Sequence, residues 1–387
     1  MKETHDYLVP DYYPSFSCKM GRCRTACCKD WPISLSMRDY FQLLGVNCSN
    51  ELRRKLDCGM HLAKHPTQEE YAQINPRYDG DCPMRLEDGR CGVHAELGEK
   101  ALPYVCRLYP RAPRSEGDYE CSCANSCEAV LELMFRQHAP IAFHPLSIAF
   151  DLPKPAGRTV FFETVGREQE IRLFFIRKIQ NRDLPMPERI MDLGQALLAM
   201  DAALNARDAA SVDRLLRGEQ QMESSCPNSA PCLEFGLQVA EGFLELLDAR
   251  SDSIRRYGEA SLAYFGKDAH TLEKYRLASA HFAAVLPNWQ VYFEHMLVNH
   301  MFFSRFPFQD RPESLQSEFI AICGVYTLLR FLGVGWMVEK ECETDFVDVA
   351  AAAFRLIDHT SFDRYAAHML QDLGCDDPER LYSLICL

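Results

Sequence analysis

Cysteine thiols are the side chains of this sequence with the greatest capacity for chemistry, and they crowd near its beginning. Four of them, Cys18, Cys23, Cys27 and Cys28, lie within eleven residues. Thiolates are ligands of zinc and of iron–sulfur clusters. Short loops bring several thiolates to one point at little cost, because closing a small loop removes little chain entropy. This run therefore predicts the first half of a metal or cluster site.

More thiols follow in the same part of the chain. Twelve of the 18 cysteines precede residue 128, and the other six are spread over the remaining two thirds. Such a density is typical of a disulfide scaffold or of a metal-binding module. A turn predicted at Asp88-Gly89 would return Cys91 towards Cys82. The thiols that follow the first run in this way are Cys82, Cys91, Cys106, Cys121, Cys123 and Cys127.

The sequence leaves the kind of metal open. Zinc takes four nitrogen or sulfur ligands in a closed tetrahedron, and His94 could join three cysteines in such a site. An iron–sulfur cluster prefers thiolates alone, of which this segment has enough for two clusters. Buried, unreactive thiols are the ordinary alternative. Ten thiols in this arrangement favour metal binding over that alternative.

Composition and charge restrict the possible partners and the cellular compartment of the protein. The net charge of −13 makes a nucleic-acid backbone unsuitable as the main partner. The first 16 residues hold Asp, Glu and Pro where an export signal needs a basic patch and an apolar run, so we expect a cytoplasmic protein. A reducing compartment favours metal sites over disulfides.

The elements that must position these thiols are predicted to be mainly helical. Ser36 would cap a helix over residues 37–44, and further helical periodicity begins at Glu128. A short strand is predicted at residues 159–164. We expect a mainly α fold, with a cysteine-rich, loop-rich metal or cluster module over residues 1–128 and an all-α domain over residues 129–387. The module's apolar content is thin, so we expect its loops to wrap around the bound metal. Other predicted helices cover residues 128–137, 233–249, 272–286, 292–303, 315–332, 345–358 and 362–373, with helical spacing also around 171–178 and 190–200.

The longest apolar stretch runs from Val325 to Val338. It is interrupted by Arg330, Gly333 and Gly335, and it is shorter than the roughly 20 residues that a bilayer requires. A buried helix is therefore predicted, with no membrane span.

Several motifs together resemble the flagellin lysine-N-methylases, which belong to a wider group with a zinc- or iron-chelating CxxCxxCC-type domain. The resemblance covers most of the chain. In the front part it is carried by residues 8–12, 16–18, 23, 27–31, 82–83, 89–91, 96–99 and 106–111. In the helical part it is carried by residues 171–172, 180–182, 298–300 and 306–308.

This resemblance implies a methyltransferase that moves methyl groups from S-adenosylmethionine to surface lysines of flagellin in the bacterial cytoplasm. It also implies a [4Fe–4S] cluster, with zinc as the alternative metal. The cysteines that match the family by position are Cys18, Cys23, Cys27, Cys28, Cys82, Cys91, Cys106 and Cys127. Cys121 and Cys123 are local extras. The spacing of Cys18, Cys23 and Cys27 is not the CxxxCxxC of ordinary radical S-adenosylmethionine enzymes, so reductive cleavage of the cofactor stays a hypothesis.

The catalytic base and the cofactor pocket stay open at this point. A lysine with a pKa of about 10.4 must lose its proton before it can accept a methyl group. No Gly-rich nucleotide loop follows a strand, and Gly333-Val334-Gly335 is interpreted as a packing feature of a helix. The cofactor would then dock on the cluster or in the helical domain, and we expect the cluster.

Two alternatives to the enzyme remain. A non-enzymatic zinc- or iron-binding module on a helical interaction domain is the stronger of them. A thiol–disulfide redox protein is disfavoured, because the exposed Cys-x-x-Cys of such proteins is missing. Arg182, Asn299 and His300 interrupt apolar helical runs, and satisfied buried polar residues are the favoured interpretation of all three.

Overall fold

The chain forms a cysteine-rich region with two small sheets and a helical region after it, so the predicted mainly α fold is confirmed. A computed structural model describes residues 3–24, 27–115, 118–150, 164, 166–219, 231–248, 252–309 and 314–387. The predicted strand at residues 159–164 lies almost wholly outside these ranges.

A four-stranded sheet joins the beginning of the chain to the helical region. Strand β1 (Glu3–Pro10) pairs antiparallel with β7 (Phe143–Phe150) along its whole length and parallel with β6 (Glu120–Cys123), which pairs antiparallel with β5 (Arg111–Arg114). Tyr7 and Val9 alternate with more accessible residues, and both are buried in the core that the helices form. None of these strands was predicted from the sequence.

A three-stranded sheet and four short helices build the rest of the cysteine-rich region. Strand β4 (Ala72–Ile74) lies between β2 (Ile33–Leu35) and β3 (Met60–Leu62), antiparallel to both. The helices are α1 (Met37–Gly45), α2 (Asn50–Gly59), α3 (Gly92–Leu97) and α4 (Tyr104–Leu108). The Ser36 cap is confirmed, because its side chain accepts a hydrogen bond from the Asp39 amide.

This region also has an apolar core of its own. The expectation of thin apolar content is therefore wrong, because short helices and strands bury apolar side chains that the sequence scatters. That the loops also wrap around a metal stays a prediction. The core consists of Ile33, Leu35, Leu43, Leu52, Leu56, Met60, Ala72, Ile74, Cys82, Met84, Val93 and Leu102. The division of the chain at residue 128 stays a prediction.

The helical region confirms the predicted helices and adds others. Helices α10 and α16 were not predicted, whereas α8 is the one short helix expected within an otherwise loop-like region over residues 205–232. The described helices of this region are α5 (Glu128–Phe135), α6 (Glu168–Ile179), α7 (Met186–Asn205), α8 (Ala209–Leu216), α9 (Leu233–Asp248), α10 (Asp252–Phe265), α11 (Thr271–Val285), α12 (Trp289–Ser304), α13 (Leu315–Trp336), α14 (Glu343–Ile357), α15 (Phe362–Asp372) and α16 (Pro378–Ile385).

Helix α13 is the centre of this region and packs against α7, α10, α14 and α15. Within the described ranges it is the one helix long and apolar enough to cross a membrane, and 89% of its apolar window is buried inside the protein. The predicted buried helix is thus confirmed. Gly333 and Gly335 are packing positions, as predicted: a Cβ would lie 2.8 Å from Phe346 at the first and 2.4 Å from Ser261 at the second.

Candidate metal centre

All eight cysteines that match the family by position border one cavity of about 740 Å³. The cavity lies between the cysteine-rich region and the end of α14. Cys27 is accessible although it lies deep in the protein, because its accessible surface faces this cavity. The eight are Cys18, Cys23, Cys27, Cys28, Cys82, Cys91, Cys106 and Cys127.

Ion pairs attach the first cysteine loop, residues 18–28, to two helices. Lys19 Nζ lies 2.7 Å from a carboxylate oxygen of Glu128 and 2.8 Å from one of Glu132, both on α5. Arg24 contacts Glu132 at 2.8 Å and Asp348 of α14 at 2.8 Å. The loop is therefore held against α5 and α14 by Lys19 and Arg24.

Backbone contacts attach the second cysteine loop, residues 82–91, to the first. The Cys82 amide donates to the Cys28 carbonyl at 3.1 Å, which places these two cysteines side by side. The predicted reversal between Cys82 and Cys91 is confirmed, because Arg85 pairs with Cys91 in an antiparallel bridge. Cys91 and Cys127 sit at the N-termini of α3 and α5, where backbone amides face their sulfur atoms.

The thiols influence one another in two overlapping groups. Hydrogen bonds from the thiols of Cys27 and then Cys82, with the charge of Arg85 nearby, lower the pKa of Cys28. Burial raises the pKa of Cys91 and of Cys106. Cys28 acts in the same direction on both thiols, and Cys91 does so on Cys106.

The second group consists of Cys18, Cys23 and Cys127, in which Cys127 and Cys18 act electrostatically on Cys23, and Cys18 acts on Cys127. Burial raises the pKa of Cys23 to about 12 and that of Cys127 to about 11. The thiols of Cys23 and Cys127 therefore stay protonated at neutral pH until a cation replaces their protons, so metal binding there would release protons.

The donor set suits a soft metal in type and in place, because it consists of thiols that border one cavity. Over the described ranges, however, no three side chains of His, Cys, Asp or Glu are arranged to hold one metal ion. The ligand assignments therefore stay predictions. His94 also borders the cavity, whereas Cys121 and Cys123 are buried in β6 and do not.

One part of the cavity wall, which contains no cysteine, was not predicted as part of a site. Trp31, Tyr109 and His359 lie there with their rings in contact, with centroid distances of 4.9 Å from Trp31 to His359 and 6.3 Å from Trp31 to Tyr109. Ser126 Oγ lies 3.0 Å from the Tyr109 hydroxyl and 2.9 Å from His359 Nε2. Burial lowers the pKa of His359, so its imidazole is neutral at pH 7.

Arg355 completes this wall. It is 3% exposed and borders the cavity from α14. A lone arginine in a helix does not indicate a site. Arg355 is also far from the cysteines in sequence, so it could not be assigned to their site from the sequence. Trp31 and Tyr109 did belong to the motifs singled out in the sequence.

The favoured interpretation of Arg182, Asn299 and His300 as satisfied buried residues is confirmed for Asn299. His300 is buried but its Nε2 has no hydrogen-bond partner among the described residues, and Arg182 is exposed although it has a partner. Arg182 makes two hydrogen bonds of 2.8 Å to Glu294. Asn299 accepts a hydrogen bond from Tyr12 at 2.6 Å. His300 Nδ1 lies 2.8 Å from Asp358. None of the three borders the cavity.

The sequence of this chain is similar to a protein family and to several known proteins. Residues 172–384 match the family model described as the FliB lysine N-methylase C-terminal domain. A lysine-N-methylase of Salmonella typhimurium strain LT2 is 33% identical over 104 residues, which are 27% of this chain and 25% of that protein. The lysine-N-methylase of Salmonella choleraesuis matches to the same extent.

The flagellar biosynthetic protein FliU of Salmonella muenchen is 32% identical over 104 residues, which are 27% of this chain and 60% of that protein. The matched stretch is thus about a quarter of the length of the two lysine-N-methylases. No solved structure matches the chain.

Proposed function

This chain belongs to the FliB lysine N-methylase family, and from that premise we propose that it transfers methyl groups from S-adenosylmethionine to surface lysines of flagellin in the bacterial cytoplasm. The observation that carries the proposal is the cavity that all eight cysteines share with α14. Residues 172–384, which match the family model, include the α14 side of this cavity.

The proposal includes a [4Fe–4S] cluster held by cysteines among the eight. When bound, such a cluster supplies Lewis-acidic iron and an electron reservoir beside the methyl donor. The loops that carry these cysteines are fixed to each other by the hydrogen bond from Cys82 to Cys28, and to the helical region by Lys19 and Arg24. A cavity of about 740 Å³ also lies within the size range of small-molecule sites, about 300–1,000 Å³.

The chain must also take a proton from the substrate. A lysine ammonium has no lone pair, so it cannot accept a methyl group until a base removes its proton. His359 is the side chain of the cavity best placed for this step. Its Nε2 lies next to Ser126 Oγ, and over the described residues its Nδ1 has no hydrogen-bond partner. With the Nε2 proton donated to Ser126, Nδ1 accepts the proton of the substrate ammonium.

The direct test is anaerobic purification with iron and sulfide analysis, followed by incubation with S-adenosylmethionine and flagellin. We expect a brown protein with bound iron and sulfide, and a flagellin mass raised by whole methyl increments. Iron-loaded protein that leaves the flagellin mass unchanged would overturn the proposal. Colourless protein that carries zinc and leaves flagellin unmodified would support the alternative, a non-enzymatic metal-binding module.

A further inference from the structure

Arg355 differs from the other buried arginines of the described chain, because it lacks a protein partner there. No hydrogen bond or ion pair of its guanidinium exists within these residues, and its Nε is a buried donor with nothing to bind. The other buried arginines are engaged. Arg172 pairs with Glu120, Arg189 with Glu294 and Arg305 with Glu168, and Arg330 lies over the rings of Trp289 and Phe282.

An unpaired guanidinium in the interior is costly. Arginine does not lose its proton in proteins, so burial cannot neutralise it. A buried charge without a partner destabilises the fold, and such charges are ordinarily paired with an anion. Arg355 borders the cavity, so the missing anion can reach it from there.

Nearby carboxylates do not fill this role, because they are engaged elsewhere. Asp358 accepts a hydrogen bond from the backbone N–H of Asn125 and lies 2.8 Å from His300. Asp348 binds Arg24 at 2.8 Å. The charge of Arg355 acts instead on Tyr109 and His359. Burial, the larger influence, raises the pKa of Tyr109 and lowers that of His359, and the charge of Arg355 lowers both.

The shape of the guanidinium selects the anion. Its planar fork matches a carboxylate in a bidentate arrangement, whereas thiolates offer single sulfur atoms. We propose that Arg355 binds the carboxylate at the amino-acid end of S-adenosylmethionine. The inference rests on the proposed function, because it takes the methyl donor from there.

This assignment places the amino-acid end of the cofactor on the α14 side of the cavity, four residues before His359 in the chain. It also gives the chain a cofactor contact that needs no Gly-rich loop. A site shared by the cysteine loops and α14 would combine the two locations that the sequence left open, the cluster and the helical domain.

Ligand binding to the purified, metal-loaded chain tests the inference without any turnover. Isothermal titration under anaerobic conditions would compare S-adenosylmethionine with its decarboxylated analogue, for the wild type, R355Q and R355K. A charge-assisted bidentate contact contributes about 1.5–3 kcal/mol, so we expect R355Q to weaken S-adenosylmethionine about 10- to 150-fold. The same substitution should change affinity for the decarboxylated analogue less than about twofold, and R355K should recover part of the loss.

Two controls separate ligand binding from structure. R54Q removes an equally charged side chain from an exposed position of α2 that does not border the cavity, and it should leave both affinities unchanged. R355M should leave the melting temperature of the ligand-free protein unchanged or raise it, because it removes an unpaired buried charge. A fall of several degrees would assign Arg355 to the fold and overturn the inference.

The remaining outcomes also decide. Equal weakening of both ligands by R355Q, or loss of bound iron in R355Q, would assign the guanidinium to the cluster and overturn the inference. Unchanged binding of S-adenosylmethionine by R355Q would overturn it as well. If the wild type still methylates flagellin in that case, the proposed function stands. A wild type that neither binds S-adenosylmethionine nor methylates flagellin would overturn both.

Discussion

Gly21 and Gly89 touch backbone to backbone, and their contact joins the two cysteine loops that border the cavity. A Cβ on Gly89 would lie 2.4 Å from the Gly21 carbonyl oxygen, and one on Gly21 would lie 2.7 Å from the Arg90 nitrogen. Both glycines have positive φ, 89° and 84°. Only glycine allows this approach, because any side chain would have to occupy the space of the other loop's backbone.

Replacing Gly89 with alanine should therefore separate the two loops. We expect G89A to lose most of its bound metal, because Cys82 and Cys91 would move away from Cys18 and Cys23. Iron and zinc per chain, measured after anaerobic purification, report this loss.

G98A is the matched control for that substitution. Gly98 also has a positive φ, 80°, but nothing lies within 4 Å of the position of its Cβ. Alanine there carries the backbone strain, about 1–2 kcal/mol, without the collision. Equal metal contents of G89A and G98A would show that the contact between the loops does not position the cysteines.

Replacing Cys28 with serine should reduce metal binding more than replacing a residue that only contacts the ligands. Loss of an outer-shell partner weakens a metal site about 10- to 100-fold, and loss of a central thiolate should exceed this. Hydrogen bonds from the thiols of Cys27 and Cys82 lower the pKa of Cys28 and so favour its thiolate, which is the form that binds a metal.

Iron and sulfide content and absorption near 400 nm measure the effect of C28S. C58S changes an exposed thiol that does not border the cavity, and it should keep full metal content. A C28S protein with the iron content of C58S would remove Cys28 from the ligand set.

Stability should fall as pH rises, because His300 is held as a cation. Burial alone would lower the pKa of His300, but Asp363 and Asp358 outweigh it and raise the pKa to about 10. A pKa raised above the ordinary value of about 6.5 contributes stability that is complete below pH 6.5 and is lost as the pH rises through about 10.

H300Q tests this linkage by urea unfolding at several pH values. Removing one partner of a buried ion pair costs about 3–5 kcal/mol, so we expect H300Q to be less stable by about this amount at pH 6. The difference from the wild type should shrink towards pH 10. Ionisation of buried thiols also lowers the stability of the protein in the alkaline range. This effect is the same in H300Q and in the wild type, so it cancels in the difference. A difference that stays constant from pH 6 to pH 10 would contradict the assignment.

Helices were accessible to sequence analysis because their apolar period is local. Met37–Gly45 and Phe362–Asp372 begin at the residues that the pattern indicated. Strand β1 was not predicted, because its partner β7 follows more than 130 residues later and pairing over such a distance leaves no local signal. The cysteines were found by type and spacing, both of which are visible in the sequence.

Arg355 and His359 could not be found in the same way. Each is a single polar residue at or after the end of a helix, more than 220 residues beyond Cys127. Their importance lies in what surrounds them: Arg355 lacks a partner, and His359 is oriented by Ser126. Neither property is written in the local sequence, because both depend on which chain segments the fold brings to the cavity.

H359Q should change how methylation depends on pH. Without a base, the rate follows the neutral fraction of the substrate lysine and rises about tenfold per pH unit up to a pKa of about 10.4. In the wild type the pKa of His359 is lowered by burial, so the rate should be nearly flat above pH 6.5. We therefore expect a defect of about 10²–10⁴-fold at pH 7 that disappears near pH 10.

The convergence of the two profiles at high pH separates lost proton transfer from damaged structure, because a structural defect would persist there or grow. H281Q is a matched control, since His281 contacts the Lys340 carbonyl and does not border the cavity. It should keep the wild-type profile. His94 is the competing base in the cavity, but over the described residues no hydrogen bond orients its side chain. If H94Q shows the convergent profile and H359Q runs parallel to the wild type, the proton goes to His94 instead.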